Sequence, residues 1–179
     1  MNSRNRSILL IALLLIVQLP LHAHSKGEVV PPEVTKTVNS FLGHWTLTGT
    51  DTEPDSKGPV HLTIVLDCES VALGMAVSCR MTGDGRGTDH VEMASLIGYS
   101  PDERVVRLME VSSWGSNHVH TGPWQGNVIR FARLSYSEAG KKRVETFAIG
   151  FPSVGKMTIK SVTRTPDGTS ILDLAGTRR

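Results

Sequence analysis

The sequence predicts an all-β protein: an antiparallel, up-and-down barrel of about ten strands preceded by one short helix. Three observations carry this. From Trp45 onward apolar and polar residues alternate with period two, turn residues interrupt the alternation at short intervals, and each run keeps one apolar face. One apolar face per strand, repeated through short links, closes most economically into a barrel, which also removes the exposed edges of an open sheet.

The first residues, MNSRNRSILLIALLLIVQLPLHAHS, place Arg4 and Arg6 ahead of an uncharged apolar run from Ile8 to Val17, with Pro20 before Leu21-His22-Ala23. This is the pattern of an export signal over residues 1–23, cleaved after Ala23. The run is too short to cross a bilayer comfortably and no stop-transfer pattern follows, so no membrane span is expected after cleavage. No cysteine near the cut marks a lipid-modified amino terminus. What remains reads as one domain, with a segment 24–40 containing the short helix and the barrel over 41–179. The expected location is secreted or periplasmic.

The whole chain has 19 Lys plus Arg against 17 Asp plus Glu. Arg4 and Arg6 account for the excess, so the exported part is electroneutral. Without a basic field, aromatic–basic interleaving or a zinc-finger spacing, nucleic-acid binding loses its footprint.

Taken in order, Pro31 and Pro32 open a helix from Pro32 to Phe41, where Val34, Val38 and Phe41 recur at helical spacing. The strands then follow at 45–50, 60–67, 76–82, 90–99, 105–113, 119–125, 128–136, 143–149, 156–165 and 170–178. Their breakers are GDGRGTD from Gly83, SPDE from Ser100, QGN from Gln125, SEAGKK from Ser137, GFPSVG from Gly150 and TPDG from Thr165. Only DTEPDSKGP, from Asp51, reads as a longer loop, expected at one rim. Met157 and Ile159 oppose Lys156, Thr158 and Lys160; Leu62, Ile64 and Leu66 oppose His61 and Thr63; Val91, Met93, Ile97 and Tyr99 oppose His90 and Glu92. An outer-membrane barrel would need aromatic girdles at both interfaces, and three Trp, two Tyr and four Phe do not supply them.

The stretch LDCESVALGMAVSCRM reads as strand, turn, strand. A loop centred between Leu73 and Gly74 sets Cys68 opposite Cys79, and a four-residue loop puts them at a non-hydrogen-bonded pair, where side chains approach closely. In an oxidising compartment this predicts a structural disulfide, adding about 3 kcal/mol in the chain-entropy model.

FLGHWTLTGT from Phe41, LIGYSPDERVVRLMEVSS from Leu96, TGPWQGNVIRF from Thr121 and the closing AGTRR together resemble a bacterial exported, lipocalin-like family of unknown function within the calycin superfamily. The resemblance spans most of 41–179. It implies a lipocalin-like barrel in which the early tryptophan packs across the closed end against an arginine of the last strand. Those roles would fall to Trp45 and to Arg178 or Arg179, with Gly43 letting the backbone pass beneath the barrel floor. A guanidinium over an indole face contributes about 1 to 2 kcal/mol when partly desolvated.

A barrel of this size can hold one small apolar molecule. The expected liners are Met93, Ile97, Tyr99, Met109, Val111, Trp114, Phe131, Phe147 and Met157, and the function read from them is binding of a small hydrophobic ligand. The same residues describe a filled core whose outer surface binds another protein, and that reading stands beside the first. A third reading is a metal site or metal-dependent enzyme: His118 and His120 share one strand face, and His90 with Glu92 forms a similar pair on another. His24, newly amino-terminal after cleavage, would be a copper-type chelate. The haem chemistry of some calycins needs a histidine on a late strand, and none follows His120. No cofactor is therefore expected. No Ser–His–acid or Cys–His motif marks a catalytic centre.

Overall fold

Pro32 occupies a first-turn position that needs no backbone N–H, and the helix starts there. The computed structural model describes residues 30–84, 90–113, 115–138 and 140–179; residues 1–23, where an export signal is expected, His24 and Trp114 lie outside them. Helix α1 spans Pro32–Phe41 and buries Val34, Thr37, Val38 and Phe41 on one stripe. Thr37 is a polar member of that stripe, and it is satisfied: its hydroxyl donates to the Glu33 carbonyl at 2.7 Å and accepts from the Trp124 indole at 3.0 Å.

Among the described residues twelve strands follow: β1 (Gly43–Thr52), β2 (Val60–Val71), β3 (Ala76–Asp84), β4 (His90–Ser100), β5 (Val105–Ser112), β6 (Asn117–Gly122), β7 (Trp124–Gln125), β8 (Val128–Arg130), β9 (Leu134–Glu138), β10 (Lys141–Gly150), β11 (Lys156–Thr165) and β12 (Gly168–Arg178). All pairings are antiparallel. Strands β1 to β6 pair in sequence, β10 to β12 do likewise, and β12 returns to β1 from Trp45↔Arg178 to Thr52↔Ile171. The result is a nearly closed meander barrel with one short helix.

Two of the ten expected strands are each divided. The run 119–125 breaks at Pro123, between β6 and β7, because proline brings no N–H to a ladder. The run 128–136 breaks between β8 and β9, although both pair with β10: Arg130 faces Ala148 and Leu134 faces Glu145. Three residues, 131–133, thus oppose two, which is a bulge. Its donors divide between neighbours. Phe131 N–H bonds the Phe147 carbonyl at 3.0 Å, whereas Ala132 N–H bonds the Thr121 carbonyl at 2.7 Å, tying β6 to the far side of the barrel.

In the β2–β3 hairpin Val71 pairs with Ala76 and Cys68 with Cys79, and the disulfide joins the two cysteines across a Cα separation of 4.1 Å. The loop is the four-residue one, 72–75.

The barrel floor lies at the end reached by α1. Trp45 is 1% exposed and its indole N–H donates to the Phe41 carbonyl at 2.7 Å; Phe151 meets both Phe41 and Trp45 edge-on. The Arg178 guanidinium lies 5.3 Å from the Trp45 ring, and its Nη1 donates to the carbonyls of Leu42 at 2.9 Å and Asn39 at 3.2 Å. One side chain therefore covers an indole face and satisfies orphan carbonyls at a helix C-terminus, where positive charge is favoured. Arg179 takes no part in this: its side chain is exposed, and only its N–H engages, donating to the His44 carbonyl at 2.9 Å. Gly43 has φ +114°, and a Cβ there would come 2.7 Å from Arg178 Cδ. Gly43→Ala should accordingly cost about 1–2 kcal/mol through backbone strain and a displaced guanidinium; a urea midpoint equal to the parent's would refute that account.

Candidate functional site

Inward alternation leaves a cavity of about 980 Å³ inside the barrel. Its floor includes Phe41, Leu66, Ile97 and Met157, and its mouth, at the end opposite Trp45, includes Asp84, His90, Ser113 and Ser170. The interior is therefore not a filled core.

Of the expected liners, Met93, Ile97, Phe147 and Met157 face the cavity. Phe131 is buried and stacks on Phe147 with ring centroids 5.1 Å apart, and Tyr99 packs against the core; neither lines the cavity. Met109 and Val111 are corrections. They are 46% and 50% exposed on the outer face, because β5 turns Val106, Leu108, Glu110 and Ser112 inward. Met109 instead forms a cross-strand outer row with Leu96 and Val119. The stretch VVRLMEVS has apolar residues at both parities, so its own pattern does not choose a face.

The three histidines do not converge. His118 and His120 turn inward on β6, but His90 opens β4 at the mouth, on the opposite face from Val91 and Met93. Glu92 shares that outer face and pairs with Arg80 at 2.9 Å. Among the described residues no three His, Cys, Asp or Glu side chains are placed to hold a metal ion, so the metal reading loses its ligand set.

What β5, β6, β9 and β10 do bring together is a polar wall. Glu110 lies 3.5 Å from His120 Nε2; the imidazole is 2% exposed, packed against Phe131 and Phe147, and does not itself line the cavity. The His118 ring sits 3.9 Å from that of Tyr136. Glu145 accepts a hydrogen bond from Ser161 Oγ at 2.6 Å. Arg143 Nε lies 2.7 Å from Glu138 Oε2, close enough for an ion pair although not aligned as an N–H···O bond. Burial, and then the negative charges of Glu145 and Glu138, hold the Tyr136 phenol well above its ordinary pKa. The phenol therefore stays protonated.

None of these wall residues except the histidines is evident from turn or motif spacing. One signal was present: in KKRVETFAIG, Arg143 and Glu145 share the parity of Phe147 and Ile149, and in β9 Tyr136 and Glu138 share that of Leu134. Charges on the apolar parity of a strand mark an interior polar patch.

No family model matches the chain, and no curated protein sequence matches it. Among solved structures it is similar to the S-type phycobiliprotein lyase CPES of Guillardia theta, with a TM-score of 0.55 and 12% identity over 79% of this chain and 90% of that one. It also matches a protein of unknown function from the DUF3598 family of Nostoc punctiforme, with a TM-score of 0.22 and 8% identity over 80% of this chain and 99% of that one, a likeness too slight to argue from. The first likeness, at its low identity, is one of fold alone: this chain folds as a lipocalin-like barrel.

Proposed function

We propose that this chain is an exported barrel that binds one small, largely apolar ligand in its interior. The observation that carries the reading is the cavity of about 980 Å³, open at one end and floored by Phe41, Leu66, Ile97 and Met157. That volume lies at the upper end of the range of drug-sized pockets, and an apolar floor with a few polar groups on one wall is their usual composition. Export is supported by the amino-terminal sequence pattern and by the Cys68–Cys79 disulfide, which an oxidising compartment would maintain.

A neutral fluorescent probe such as N-phenyl-1-naphthylamine tests the binding reading. Its emission should rise on adding the protein, and Leu172→Trp, which projects an indole into the cavity, should weaken its binding at least tenfold while the far-ultraviolet circular dichroism stays unchanged. Equal probe affinity in the well-folded variant would show that the interior is not the site.

A further inference from the structure

The reading of the barrel as a ligand binder leaves open what kind of molecule enters, and the inference that follows rests on that reading. The cavity wall is chemically lopsided. Strands β2, β11 and β12 contribute apolar side chains such as Ile64, Ile159 and Leu174, whereas β5, β6, β9 and β10 contribute charge. The charged groups gather round Tyr136: the His118 ring lies beside it at a tilt of 44°, Arg143 is its cross-strand partner, and Glu110, Glu138 and Glu145 all act on its phenol.

Three carboxylates therefore face one guanidinium. Arg143 is taken up by Glu138. Glu145 has the Ser161 hydroxyl and Glu110 has the His120 imidazole at 3.5 Å, but neither has a lysine or arginine partner among the described residues. Two buried nitrogens in the same sector, His118 Nε2 and Arg143 Nε, have no hydrogen-bond partner among the described residues. The sector is thus rich in carboxylates and short of positive charge. In a partly desolvated wall that imbalance is costly, and a ligand bringing N–H donors and a positive charge relieves it, whereas a ligand carboxylate or phosphate would add to the repulsion.

We propose that the cavity takes an amphiphile bearing a protonated nitrogen, with its apolar body on the floor and its ammonium group against Glu110 and Glu145. An ammonium has three N–H donors and no acceptor, which suits a wall that presents carboxylate oxygens.

The test is calorimetric titration of the full chain at neutral pH with dodecylamine, dodecanol and dodecanoate, each below its micelle threshold. Dodecylamine should bind at least tenfold more tightly than dodecanol, and dodecanoate more weakly than either, a tenfold step being the lower end of what a charge-assisted hydrogen bond contributes. Glu145→Gln and Glu110→Gln, made separately so that one folded variant suffices, should each lower the amine-to-alcohol ratio about tenfold. Dodecanol binding as tightly as dodecylamine, or an unchanged ratio in a folded glutamine variant, overturns the charge assignment and leaves cavity binding standing. Binding of none of the three overturns both.

Discussion

Replacing Trp45 by alanine should remove about 3–5 kcal/mol of stability, the range for deleting a large aromatic ring from a packed core. The loss has three parts. The ring is almost completely buried against Phe151, its indole N–H is the partner of the Phe41 carbonyl, and its face lies under the Arg178 guanidinium. The variant leaves a cavity, an unpaired buried acceptor at the last turn of α1, and a cation without its aromatic surface. Urea unfolding followed by circular dichroism should show a lower midpoint with an unchanged slope, and heating should show a melting temperature lower by roughly 10 °C. A midpoint equal to the parent's would mean that the floor does not depend on the indole.

The second large effect concerns Cys68 and Cys79. Changing both to alanine should lower stability by about 3 kcal/mol, because the link restricts a short loop in the unfolded chain. Both sulfurs are also buried in the core, so some packing is lost as well. The ladder from Thr63↔Asp84 to Val71↔Ala76 remains, and the circular dichroism of the folded variant should match the parent. The urea slope should rise, since an unlinked unfolded chain exposes more surface. If treatment with a thiol reductant and the double substitution both leave the midpoint unmoved, the staple contributes nothing.

Most of the architecture was legible because it depends on local chemistry. Pro31-Pro32 started the helix, and the centre of the VALGM loop set Cys68 against Cys79 through simple counting. The features that escaped depend on partners distant in sequence. Pro123 is visible as a breaker, but the 131–133 bulge exists because Ala132 bonds to Thr121 on another strand. The inward face of β5 turned on Glu110 finding His120, a pairing that the two-sided apolar pattern of VVRLMEVS conceals. The polar wall was overlooked for a related reason: Arg143 and Glu145 look like ordinary solvated charges until Phe147 and Ile149 fix which side of β10 they share. His90 looked like a companion to His118 and His120 only while the orientation of β4 relative to β6 was unknown.

The pairing of β12 with β1 governs how the chain must fold. The segment that completes the floor, including Arg178, is made last and must insert between two neighbours, β11 and β1, one of which lies at the far end of the sequence. Such distant closure is slow and carries a large entropic toll. Until β12 is in place, the rows of amides on β1 and β11 that face it stay unsatisfied, two open edges that can pair wrongly with other chains while the last strand is awaited.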